Sequence, residues 1–143
     1  MIESRVRVRY AETDRMGIAY HASHIVWFEV GRSDLCRAAG VPYSEMEREG
    51  FFFVVTEVSC RYLKPAYYDQ EIVVRTWLKE INRRAARFSY ELVSVDGATV
   101  IAEGQSRHLV LDRAGQRKAM PDRWVEALRR IGADSSEPHP DPA

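Results

Sequence analysis

Between Tyr10 and Glu29 the chain reads YAETDRMGIAYHASHIVWFE. One carboxylate, Asp14, stands three residues before Gly17 and seven before His21, and an apolar run follows directly. A carboxylate beside a glycine turn at the mouth of a helix is equipped for acyl chemistry. The first helical N–H groups have no partners inside the helix, so they can meet a developing oxyanion. The carboxylate can activate water or attack the carbonyl itself. Taken alone, the same Asp reads more readily as a helix-entry or Asx-turn residue with no chemistry, and Gly17 suits a turn under either reading. His21 and His24 form an H-x-x-H pair. Asp14 and Glu12 are the only further ligands nearby, so no metal site is expected. No G-x-S-x-G motif is present, so a serine nucleophile of that kind is absent.

Several elements must position this segment. Arg5 to Tyr10 alternates Val with Arg and reads as a short strand, with Val6, Val8 and Tyr10 on one side and Tyr10 toward the core. Ile25, Phe28, Leu35, Cys36 and Ala39 recur at helical spacing from Ser23 to Ala39. Val26, Trp27 and Val30 widen that stripe, which predicts cover on more than one side. Gly40 and Pro42 stop the helix, and Ser44 to Glu47 is a capping box for a short second one near Gly50.

After Gly50 the period becomes two. Strands are predicted over Phe53 to Leu63, Gln70 to Ile81, Ala86 to Val95 and Thr99 to Leu111. In the first of these, Val54, Thr56, Val58, Cys60 and Tyr62 fall on one face. Asn82 to Arg84 and Asp96-Gly97 are turns. Pro121 starts a final helix with Trp124, Leu128 and Ile131 on one stripe. Short turns predict an antiparallel meander of the later strands, with the long helix laid across a curved sheet. Such a pair leaves strand edges and part of the helix uncovered, which dimerisation would remedy.

The 143 residues suit a single domain over residues 1–132, followed by a Pro-rich tail, 133–143, expected to be disordered. Lys+Arg and Asp+Glu both total 21, a balance that argues against a dedicated nucleic-acid binder. Cys36 and Cys60 lack metal-type spacing and read as free thiols of a reducing compartment. No apolar run approaches membrane-spanning length, so no membrane insertion is expected. With no signal core at the N-terminus, the expected location is the cytoplasm.

The segment RVRYAETDRMGIAYHASHIVWFE resembles the 4-hydroxybenzoyl-CoA thioesterase family, in its branch of Tol-Pal-associated bacterial acyl-CoA thioesterases. Arg7-Val8, Thr13-Asp14, Gly17-Ile18, Tyr20-His21 and Trp27-Phe28-Glu29 match that pattern in order and spacing, and VVTEVSCRYLKPAYYDQE fits its second strand. The resemblance covers about residues 3–130. It implies an α+β hotdog fold and hydrolysis of acyl-CoA to free acid and CoA, with no cofactor. It assigns Asp14 as the catalytic carboxylate and Gly17 as the turn glycine that lets backbone approach the thioester. Tyr20 and His21 would supply backbone amides, and Tyr10 and His21 polar neighbours. Arg83 and Arg84 would meet the CoA phosphates, although a solvated hairpin explains that turn equally well. Glu12 stands where many relatives have Asp, and His24 where Tyr is common. The implied partners are an acyl-CoA substrate, an acyl-carrier protein as a second thioester source, and a second or further copies of the chain as homodimer or homotetramer. A non-hydrolytic acyl-binding module on the same fold is the alternative reading.

Overall fold

The computed structural model describes residues 1–133. The tail expected to be disordered lies, apart from Ala133, outside the described residues. Among the described residues, five strands form one antiparallel sheet: β1 (Ile2–Arg7), β2 (Phe52–Tyr62), β3 (Glu71–Ile81), β4 (Ala85–Ser94) and β5 (Val100–Leu111). Helix α1 (Ser23–Ala38) lies across it, and α2 (Tyr43–Arg48) and α3 (Asp122–Gly132) close one end. The α+β architecture with a central helix is as expected.

The order of neighbours corrects the expected meander. Strands run β1-β3-β4-β5-β2, so β3, β4 and β5 form a meander but β2 pairs with β5 at the far edge. The 63–70 connection therefore crosses the sheet. One face assignment in β2 also changes. Val55 faces His108 and Glu57 faces Arg107, so Thr56 is an extra residue in a bulge. Phe53 and Val55 point to the same side as Val58, Cys60 and Tyr62, and Val54 points away. Strict alternation cannot reveal such an inserted residue.

Ile72, Val74, Phe88, Tyr90 and Leu92 from the central strands are fully buried against Trp27, Phe28 and Leu35 of α1. Phe28 stacks on Tyr90 with ring centroids 4.4 Å apart. Gly31 brings α1 close to β3, because a Cβ there would collide with Thr76. A second apolar cluster of Val41, Met46, Val110, Met120 and Trp124 packs α2 and α3 onto the sheet end. Within this core runs a polar chain: Tyr90 Oη lies 2.5 Å from Ser106 Oγ, which lies 2.7 Å from His108 Nε2.

The apolar cover is incomplete on one side. Val26 of α1 is 48% exposed, and Val54, Val55 and Val58 of the edge strand β2 are all exposed. Of the widened helix stripe predicted from sequence, Trp27 is buried, and Val26 is left uncovered among the described residues.

Candidate active site

Strand β1 ends at Arg7, Val8 stays buried, and a single 3-10 turn forms at Tyr10–Glu12. This displaces Tyr10 from its expected core-facing place. Its side chain is 80% exposed, with the ring edge-on to Tyr68 at 5.7 Å. The strand pattern fails here because the chain turns toward α1 before the alternation is complete.

Residues 12–20 then fold into a short hairpin. Thr13 pairs with Ala19, and the Tyr20 amide donates to the Glu12 carbonyl at 2.8 Å. At its tip the Asp14 amide donates to Ile18 O (2.9 Å) and the Gly17 amide to Asp14 O (3.1 Å). Gly17 has φ +77°, a conformation that disfavours other residues, although a Cβ would meet nothing within 4 Å. Asp14 is exposed, and its Oδ1 accepts the Met16 amide at 2.8 Å. The Asx turn and a catalytic role are thus compatible, because that bond occupies one carboxylate oxygen. The crossing connection clamps the hairpin from outside: Ala19 N donates to Ala66 O and Tyr68 N to Gly17 O.

Glu12 joins this hairpin to the helix. It is 7% exposed, and its Oε2 accepts the Trp27 indole N–H at 2.9 Å while Oε1 accepts the Arg9 amide at 2.8 Å. Arg9 Nε also lies 3.3 Å from Oε1. The Glu12 carbonyl additionally accepts the Ser23 hydroxyl at 3.0 Å.

At the helix entry the Tyr20 amide is committed to Glu12, so its ring, tilted on His21 at 4.2 Å, is its free contribution. Among the described residues neither the His21 nor the Ala22 amide has a protein acceptor. The His21 carbonyl accepts the Tyr62 hydroxyl at 2.7 Å and faces His24 Nδ1 at 3.2 Å, which must therefore carry the proton. Burial lowers the His24 imidazole below its usual range, the opposite of what a cationic role would need. Its ring packs between Trp27 and Tyr62. Burial, then a hydrogen bond with Cys60, raises the Tyr62 phenol to about 12, so it stays a donor.

The hairpin joins Asp14 and Gly17 at its tip to Tyr20 and His21 at the helix entry, whereas Arg83 and Arg84 lie apart from it. They occupy the β3–β4 turn, at the opposite end of β3 from the connection that clamps Asp14. The length of β3 separates the two by about 30 Å at roughly 3.3 Å per residue. Arg83 is also structurally engaged: its Nε donates to Met120 O at 2.9 Å and lies 3.5 Å from Asp122. A cleft of about 410 Å³ opens at that far end, lined by Thr56, Asn82, Arg87 and Arg107 among others.

Glu12, Trp27 and Tyr62 take part in the site in ways that the sequence did not signal. Trp27 and Tyr62 read as an apolar stripe and a strand face. Their polar atoms act across long sequence separations, which no local pattern reports.

A family model described as the thioesterase-like superfamily matches residues 8–128. The chain is 38% identical to YneP of Bacillus subtilis over 133 residues, covering 90% of this chain and 95% of that one. It is 27% identical to the acyl-CoA thioester hydrolase YbgC of Escherichia coli, covering 87% of this chain and 93% of that one. Among solved structures, the DHNA-CoA thioesterase of Staphylococcus aureus superposes with a TM-score of 0.83 at 29% identity, covering 90% of this chain and 89% of that one.

Proposed function

The chain belongs to the thioesterase-like superfamily, with the hotdog fold, and from that premise we propose that it hydrolyses acyl-CoA to free acid and CoA. The substrate carbonyl meets the amides of His21 and Ala22 at the start of α1. Their N–H groups and the helix dipole stabilise the tetrahedral oxyanion. The Asp14 side chain either attacks the carbonyl carbon to form a mixed anhydride or takes a proton from the attacking water. In the first route the C–S bond breaks as CoA thiolate leaves, and water then cleaves the anhydride. In the second, water adds directly and the same bond breaks.

The observation that carries this reading is the hairpin itself. It holds an exposed carboxylate at its tip and ends in the helix amides, with its base fixed by Glu12. The YbgC and DHNA-CoA thioesterase likenesses supply the acyl-CoA class.

A second copy of the chain completes the site in this proposal. The exposed edge β2 and the bare side of α1 supply the surface for a homodimer, with a homotetramer as the larger assembly. Antiparallel pairing of two β2 edges sets the far end of one copy beside the Tyr62 end of the other. The β3–β4 turn of one copy then approaches the other's Asp14, which gives Arg84 a route to the CoA phosphates. No helix among the described residues is long and apolar enough to cross a membrane. A cytoplasmic location, where acyl-CoA and acyl-carrier protein are available, is part of the proposal.

The test is release of free thiol from a panel of acyl-CoA and acyl-carrier-protein thioesters by wild type and Asp14→Asn. Removing a base or nucleophile should cost about 10²–10⁴-fold in kcat. A folded Asp14→Asn that keeps most of its activity defeats the assignment. Tight thioester binding with no thiol release would instead indicate an acyl-binding module.

A further inference from the structure

We propose that Glu12 is the positioning residue of this site, its buried carboxylate setting where Asp14 stands relative to the first amides of α1. The inference rests on the reading of Asp14 as the catalytic carboxylate. A carboxylate out of water is costly unless its lone pairs are filled. Here both oxygens are filled, and by groups from different elements. Trp27 belongs to the second turn of α1, and Arg9 to the exit from β1. The main-chain carbonyl of the same residue holds the return arm through Tyr20 and the helix start through Ser23. One residue therefore ties together the exit from β1, the return arm of the hairpin and the start of α1.

The link from Glu12 to Asp14 is stiff. Only Thr13 separates them, and its hydroxyl is fixed to the Tyr10 carbonyl at 2.7 Å. Asp14 in turn is bonded across the hairpin to Ile18. A shift of Glu12 reaches Asp14 through this single intervening residue. Trp27 is equally constrained. Its indole has one donor, the ring is 2% exposed, and Glu12 is its acceptor.

A Gln at position 12 keeps the shape but offers one acceptor oxygen and one donor group. It can accept from Trp27 or from the Arg9 amide through its oxygen, and its NH₂ then faces the other donor. The distinguishing effect is on turnover rather than binding, because the Glu12 carboxylate is buried with both oxygens bonded to protein.

The experiment compares Glu12→Gln, Trp27→Phe and the double variant with wild type and Asp14→Asn. The expected result is a fall in kcat of about tenfold to a hundredfold for Glu12→Gln with KM within about twofold. Trp27→Phe should show a smaller loss, and the double variant little more than Glu12→Gln alone. NMR gives a readout independent of activity. The Trp27 indole proton should move upfield and exchange faster in Glu12→Gln, and the Asp14 and Met16 amide resonances should move with it. Unmoved Asp14 and Met16 resonances, or a kcat within twofold of wild type in a folded Glu12→Gln, would overturn the proposal. If Asp14→Asn is active, the catalytic reading fails, and the amide resonances still decide whether Glu12 positions the turn.

Discussion

The hydroxyl of Tyr62, at the last position of β2, donates to the carbonyl of His21 across 2.7 Å. The outermost strand thereby grips the entry to α1, at the residue whose amide faces the proposed oxyanion. Tyr62→Phe removes that grip and leaves the ring in place. It should lower stability by about 1 kcal/mol and reduce kcat several-fold, with the helix content unchanged. Urea unfolding and steady-state kinetics on the same preparation check both.

Gly104 lies where β5 passes beneath Phe28. A Cβ there would sit 2.5 Å from the Ser59 carbonyl oxygen as well as striking the Phe28 ring. Phe28 is fully buried and stacked on Tyr90, so it has nowhere to retreat. Gly104→Ala should cost about 1–3 kcal/mol, read as a lower Tm. Ala at Gly115, where nothing lies within 4 Å but φ is +80°, is the milder control.

His108 gives the fold a pH dependence. Burial first, and the Arg32 cation second, lower its pKa from 6.5 to about 4. Between those values the unfolded chain binds a proton that the folded chain refuses, so stability falls as pH drops through that window. The full loss, reached below pH 4, is about 3 kcal/mol for this group. His24 is lowered also, and adds in the same direction. Denaturation midpoints at pH 7 and pH 4.5 should differ clearly less in His108→Gln than in wild type.

The two arginines of the β3–β4 turn should separate. Arg83 is bonded to Met120 O, and Asp122 lies beside it, so Arg83→Ala should lower Tm. Arg84→Ala should leave Tm alone and raise KM for acyl-CoA, because its proposed contact is with phosphate. Acyl-pantetheine, which lacks the nucleotide, should be hydrolysed equally by Arg84→Ala and wild type.

The helices were legible because their stops and periodicity are local. Gly40-Pro42 ended α1, and Pro121 opened α3. The Asp14–Gly17 turn was also legible, since a glycine with positive φ beside an Asx residue is a local device. What could not be read was pairing. Nothing in Phe53 to Leu63 says that β2 will choose β5 over β3, because both strands present acceptable apolar faces. The bulge at Thr56 is silent for the same reason. Glu12 shows the limit most clearly: its residue type suits an exposed loop, and its burial is decided by Trp27 and Arg9 arriving from either side.

The crossing of β2 to the far edge also sets an order of assembly. Strands β3, β4 and β5 are joined by short turns, so they can zip with little loop entropy. Arg7 must find Glu71 and Tyr62 must find Ala102 over far longer stretches of chain. Asp14 hangs from the first of these late edges and Tyr62 belongs to the second. The turn that carries the proposed catalytic Asp14 is therefore expected to form last and to loosen first. Native-state hydrogen exchange should find its slowest amides in the three-strand meander and its fastest ordered ones around Asp14. If the proposed site is the active one, a chain that has folded only its core is chemically silent, and activity reports the closing of both edges.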